Sequence, residues 1–138
     1  MNSIELIIKG KPIAQPRHSP GKNKNVYIPK EHPIHAYKEL IKLTLISSKH
    51  FRFIESGIPV ALGVKMYFKV ADKPVEPHNE NDYHIYTPDI DNVVKAVKDA
   101  LSGNAFEDDR QVCKYLEVGK FWTHGEARTE IIIEEIEE

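Results

Sequence analysis

The chain has one cysteine, Cys113, in 138 residues, so no intrachain disulfide can form and nothing points to an oxidising compartment. Long apolar runs are missing: none approaches the ~18 residues of a membrane span. The opening MNSIELIIKGKP lacks the basic start, apolar stretch and small-residue cleavage site of a secretion signal, so a cytoplasmic protein without membrane attachment is expected. Net charge is nearly absent at −2, which alone says nothing in favour of a polyanionic partner. Paired Cys/His sets of the zinc-holding kind are also lacking. His32 and His35 have close helical spacing, but Pro33 between them marks a helix start instead.

What is present is ordinary in amount and uneven in placement. Hydrophobic residues make up 41% and charged residues 29%, the balance of a soluble folded chain. The length fits a single domain, 1–138, able to bury roughly two thirds of its unfolded surface. Residues 1–52 hold ten Lys/Arg against three Asp/Glu, whereas residues 76–138 hold six against sixteen. A basic arm thus faces an acidic block. Charge alone fits a solvated acidic tail at Glu134, Glu135, Glu137 and Glu138 as well as it fits a nucleic-acid partner.

The pattern along the chain gives the order β-α-β-α-β-β. Ser3 to Ile8 reads as a strand, followed to about residue 30 by a loop broken by Gly10, Pro12, Pro16, Pro20, Gly21 and Pro29. That loop carries Lys9, Lys11, Arg17, Lys22, Lys24, Lys30 and Tyr27, and loops so long usually have a job; DNA contact is expected of it. Pro33 opens a helix with Ile34, Tyr37, Leu40, Ile41 and Leu45 at helical spacing. From Val60 to Val70 apolar and mixed positions alternate strictly, which is a strand with one core face. A second loop over 72–88 leads to a short helix, about Asn92 to Leu101, with Val93, Val94, Val97, Ala100 and Leu101 on one stripe and Ser102-Gly103-Asn104 as its stop. Val112 to Trp122 and Arg128 to Ile136 then read as strands joined around His124-Gly125. The expected class is α+β, one mixed sheet packed with two helices.

Chemistry concentrates in two acidic groups. Thr87-Pro88-Asp89-Ile90-Asp91-Asn92 sets two carboxylates two residues apart before a helix. On extended backbone such side chains point the same way and can converge on one ion. The plain alternative is that Asp91 caps the helix and Asp89 is a solvated loop residue. Lys95, one turn beyond Asp91, can reach the same point and meet a phosphate oxygen. Phe106-Glu107-Asp108-Asp109 follows one short helix and a turn later, so the chain can bring Asp109 back near Asp89. Three carboxylates on one point repel unless a cation neutralises them. Without Cys or His the donor set suits a hard cation, Mg²⁺ above all, and such sites perform phosphoryl chemistry. An EF-hand is excluded, since its sixth and twelfth loop positions would be Val94 and Ala100. An aspartyl-phosphate phosphatase fits poorly, since His84-Ile85-Tyr86-Thr87-Pro88 is not a buried apolar strand.

Taken in order, Pro88-Asp89-Ile90-Asp91-Asn92-Val93-Val94-Lys95, Asp99-Ala100-Leu101 and Asp108-Asp109-Arg110-Gln111-Val112 resemble the signature of the RusA-type Holliday junction resolvases. Gly10-Lys11-Pro12, Gln15-Pro16-Arg17 and Tyr27 extend the likeness over nearly the whole chain. The resemblance implies a homodimeric endonuclease that nicks opposing strands of four-way junction DNA with Mg²⁺ (Mn²⁺ as substitute), often in phage or prophage settings. It carries Asp89, Asp91 and Asp109 over as metal ligands and Lys95 as an essential active-site lysine, with Asp108 and Asn92 as neighbours behind them. The segment before Asp89 departs from the pattern: Glu76, Glu80 and Asp82 stand where the family is often basic, and Thr87 replaces a common lysine. DNA grip is therefore expected to fall on Arg17, Lys22, Lys24, Lys65 and Lys69. A non-catalytic branched-DNA-binding protein with a degenerate site, and a nuclease acting on other branched DNA, are the competing expectations.

Overall fold

A computed structural model describes residues 2–16, 28–71 and 77–137. The elements run β1 (Ser3–Lys9), α1 (Pro33–Ile46), β2 (Val60–Lys69), α2 (Ile90–Leu101), a 3-10 turn (Asp109–Gln111), β3 (Val112–Thr123) and β4 (Arg128–Glu135). They build one mixed sheet in the order β1-β4-β2-β3, and the α+β class read from the pattern holds. β2 and β3 are parallel neighbours joined through α2, while β4 runs antiparallel between β1 and β2.

The last two strands, adjacent in sequence, are not a hairpin, because β2 lies between them. β4 carries Ile131 and Ile133, both fully buried, and a place between two strands pairs both of its backbone edges. β1 and β3 are left as the two edge strands. Alternation on β2 sends Leu62, Val64 and Met66 into the core shared with both helices. The other face, expected from the sequence to be wet, also buries Ala61 and Tyr67, with only Lys69 exposed, because β2 is an inner strand flanked by β4 and β3. On the opposite face Gly63 has no Cβ, and one placed there would sit 3.2 Å from Leu116 Cβ and 3.6 Å from Ile132 Cβ. A close approach of the neighbouring strands explains glycine at this position.

His32 caps α1, its Nδ1 accepting the Ile34 backbone N–H at 3.0 Å, and Pro33 fills the first helical position where a missing N–H costs nothing. Ile34, Tyr37, Ile41 and Leu45 are the buried stripe. α2 begins at Ile90, two residues ahead of the expected start, and buries Val93, Val94, Ala96, Val97, Ala100 and Leu101. Its end is tightly specified. Gly103 takes a left-handed φ of 81°, and the Ala105 N–H bonds Leu101 O at 2.8 Å. Asn104 Nδ2 donates to Ala100 O at 2.9 Å, and fully buried Phe106 fixes the reversed chain in the core. Among the described residues no helix is long and apolar enough to cross a membrane.

Tyr37 and Thr129 tie α1 to β4 through their hydroxyls, 2.5 Å apart. Burial pushes the Tyr37 phenol up to about 12, against a smaller lowering by Thr129. A phenol whose folded value lies above its unfolded value contributes stability that is present below pH 10 and is lost as pH rises toward 12. Wild type should therefore lose roughly 2–3 kcal/mol more than Tyr37→Phe over that window, measured by urea denaturation. Parallel pH profiles for the two proteins would contradict the assignment.

Candidate active site

The turn after α2 assigns a separate job to each residue of Asp108-Asp109-Arg110-Gln111. Asp108 caps the 3-10 turn, accepting the Arg110 N–H at 2.9 Å, and its own N–H donates to Gln111 Oε1 at 2.9 Å. That N–H from Arg110, with lesser help from the Asp109 side chain and the Arg110 guanidinium, holds the Asp108 carboxyl below the usual carboxylate range against the opposing effect of burial. Gln111 Nε2 donates to Glu55 O at 2.7 Å and Ile58 O at 3.1 Å, pinning the turn to the segment ahead of β2. Asp108 lines a separate surface pocket with Ser56, Gly57 and Arg110. Asp109 lines the cleft beside α2.

That cleft, of about 570 Å³, runs between α2 and the start of β3. Its polar lining is Asp91, Asn92, Lys95, Lys98, Asp109 and Tyr115, over a floor that includes Val94 and Val118. Asp91, Lys95 and Lys98 recur at helical spacing, so one face of α2 supplies a carboxylate and two ammonium groups. Lys98 Nζ donates to Tyr115 Oη at 3.1 Å. Tyr115 owes its orientation to an irregular register: Leu62 pairs with Tyr115 but Val64 pairs with Val118, so β3 holds one extra residue there. A bulge of this kind turns both Tyr115 and Val118 toward the same side, where regular alternation would oppose them.

The family described as Endodeoxyribonuclease RusA matches residues 9–134. The chain belongs to the RusA family. The match takes in both helices, the 3-10 turn and every residue of the cleft. The Bacillus subtilis (strain 168) protein YqaN, uncharacterized by its name, is 32% identical over 143 residues, covering 99% of each chain.

In this RusA-family chain the structure brings Asp91, Lys95 and Asp109 into one cleft, with Asn92 beside them. Asp89 is the N-cap of α2, on extended backbone, and is not among the residues lining the cleft. Asp91 lies inside the first helical turn, so the two do not share the extended backbone that the sequence suggested. Among the described residues no three acidic, histidine or cysteine side chains form a ready-made ion cage. Two carboxylates on one cleft, with an oxygen-only donor set, still suit a hard cation that completes its shell with water and phosphate oxygens. Of the residues expected to grip DNA, Arg17, Lys22 and Lys24 lie outside the described residues, as does Tyr27. Lys65 projects from the sheet face opposite the helices, 3.5 Å from Glu130, and exposed Lys69 ends β2; neither lines the cleft.

Sequence reasoning missed three residues. Lys98 and Tyr115 read as a plain helix lysine and a strand tyrosine, and only the bulge reveals the pair. Lys120 reads as a surface lysine in β3, yet its ammonium donates to Tyr86 O and, at 2.7 Å, to Pro88 O, holding the segment that leads into Asp89. The Gln15 N–H likewise bonds Asn92 O at 2.9 Å, stitching the N-terminal segment to the first turn of α2.

His84 anchors the same segment. It is buried, stacks on Phe68 with centroids 4.0 Å apart, and packs beside Trp122. Burial first, then the Lys120 charge, pushes its imidazole down to about 4. Here the folded value lies below the unfolded one, so the unfolded chain takes the proton first and stability is lost as pH falls from about 6.5 toward 4. A His84→Phe variant should lose less over that window, by up to about 3 kcal/mol in chemical denaturation. Equal acid sensitivity in both proteins would show that His84 does not control it.

Proposed function

We propose that this RusA-family chain is a Mg²⁺-dependent, structure-specific endodeoxyribonuclease that resolves four-way DNA junctions by paired, symmetric phosphodiester hydrolysis in recombination and repair. The observation that carries the reading is the cleft shared by Asp91, Lys95 and Asp109 in a chain of this family. Asp91 and Asp109 hold the cation from two elements, and Asp89, one residue ahead of α2, completes the acidic set. Mn²⁺ meets the same oxygen donors. Bound there, the cation supplies Lewis acidity toward the scissile phosphate and lowers the pKa of the attacking water.

The chain's own residues perform the rest. Lys95 brings a compact ammonium to a non-bridging phosphate oxygen, where fixed positive charge is worth most as negative charge develops. Lys98, held by the Tyr115 hydroxyl, supplies a second cation on the same helix face, and the pair orients the strand that enters the cleft. Asn92 lines the cleft next to Asp91 and ties that turn to Gln15, while Asp108 caps the turn that presents Asp109. Two copies related by a two-fold axis match a junction with two-fold symmetry, so a homodimer places one cleft on each opposing strand.

Asp91→Asn should lower junction cleavage in Mg²⁺ about a thousandfold or more, and Lys95→Met about a hundredfold. Both should keep the thermal transition and, in EDTA, the junction affinity of wild type within a few-fold. Gel-resolved cleavage and fluorescence anisotropy measure the two quantities. Near-wild-type cleavage by Asp91→Asn removes the cleft from the reaction, and binding by all forms with cleavage by none favours a non-catalytic junction binder.

A further inference from the structure

Lys120 on β3 holds the chain that enters α2 at three alternate residues. Its backbone O accepts the His84 N–H at 3.1 Å, and its ammonium donates to Tyr86 O and, at 2.7 Å, to Pro88 O. Ahead of it the Asn81 N–H bonds Trp122 O at 3.0 Å and the Trp122 N–H bonds Asp82 O at 2.8 Å, so the segment starts as a backbone partner of β3. Past His84 the lysine side chain carries the attachment on, with two carbonyls converging on one nitrogen. Asp89 follows Pro88 directly, and standard peptide geometry sets the ammonium within about 6 Å of its Cα.

The acidic residues around the start of α2 are fixed by different means. Asp91 is inside the helix, whose rotation is set by buried Val93, Val94 and Val97 and whose first turn is tied down by the Gln15 N–H on Asn92 O. Asp89 is the N-cap, ahead of that stripe, and takes its position from the chain that enters the helix. Electrostatics alone would not put an ammonium beside it. The N-terminal end of a helix carries partial positive charge, and a metal on the acidic set would repel a second cation. The two carbonyls account for the lysine, since they give a part-buried ammonium the oxygen partners it needs.

We propose that Lys120 is a positioning residue for the cation site: by holding Tyr86 O and Pro88 O it sets where the Asp89 carboxylate stands, and through Asp89 it sets the affinity for the divalent cation. The role rests on the reading above, in which Asp89 joins Asp91 and Asp109. Three possible roles for this lysine predict different signs. Acting through its charge, it repels the cation, and its removal tightens binding. Bracing the fold alone, it leaves the cation affinity of the folded protein untouched. Positioning a ligand, it strengthens binding, and its removal weakens it.

The test is Mn²⁺ binding to the full-length protein without DNA, read from loss of the free-ion electron paramagnetic resonance signal, with thermal unfolding to establish that each variant is folded. Lys120→Met should bind Mn²⁺ about tenfold to a hundredfold more weakly than wild type. In an Asp89→Asn background the same substitution should add no further loss, since the carboxylate it positions is gone. Should Lys120→Met fail to fold, Lys120→Gln, which keeps a donor too short to span both carbonyls, replaces it with the same expected outcome. Unchanged or tighter Mn²⁺ binding by the folded variant, or an equal loss in both backgrounds, overturns the proposal. If wild type nicks the junction symmetrically and Mn²⁺ affinity is indifferent to Lys120, this proposal falls alone. If Lys120 governs Mn²⁺ affinity through Asp89 while no DNA is cut, the nuclease reading falls and the positioning role stands. Wild type that binds no Mn²⁺ overturns both.

Discussion

Everything at the candidate site depends on the reversal of the chain between Leu101 and Val112. Two carboxylates brought into one cleft repel each other, so the backbone that carries them must be fixed by interactions independent of the cleft. The reversal has those interactions. Gly103 supplies the left-handed residue, Phe106 plugs the core, and Gln111 joins the turn both to Asp108 and to the segment before β2. Asp109 thus sits in a turn that the Gln111 side chain fixes to Asp108, Glu55 and Ile58, and lines the cleft. The Asp108–Gln111 pair is a structural device, and the sequence motif that holds both roles is short because the turn is short.

The second determinant is the sheet order. Placing β4 between β1 and β2 leaves β3 at the edge, with its outer backbone free to take the 81–84 segment, and so lets the chain reach Asp89 from beside the cleft. The extra residue in β3 near Tyr115 then turns a strand side chain toward α2. The cleft therefore forms where a helix face, an edge strand and a capped turn converge. Its lining sets two carboxylates beside two ammonium groups, on elements whose buried faces make them rigid.

Much of this is legible in the sequence. Strict alternation across Val60–Val70 marks β2, the valine stripe marks α2, and the spacing of Asp91, Lys95 and Asp109 fits their meeting in one cleft. Local patterns cannot supply the rest. Register in a parallel pair is set by contacts distant in sequence, so neither the bulge nor the pairing of Lys98 with Tyr115 leaves a periodic trace. The separation of β3 from β4 is equally non-local, since a short connection between two strands does not distinguish a hairpin from a step across a third strand. Lys120 looks like any solvated strand lysine until the fold brings the carbonyls of Tyr86 and Pro88 within reach of its ammonium. For Asp91, extended backbone is the natural expectation because Pro88 disfavours helix for the residue before it; the helix in fact begins two residues after the proline, at Ile90.

The central claim is that this cleft hydrolyses branched DNA with a divalent cation, and the position of the nicks tests it most directly. With each strand of a four-way junction end-labelled in turn, wild-type protein in Mg²⁺ should cut two opposing strands at symmetry-related positions, leave a linear duplex of the same sequence intact, and cut nothing in EDTA. Cleavage that persists in EDTA, or nicks spread equally over junction and duplex, would contradict the account.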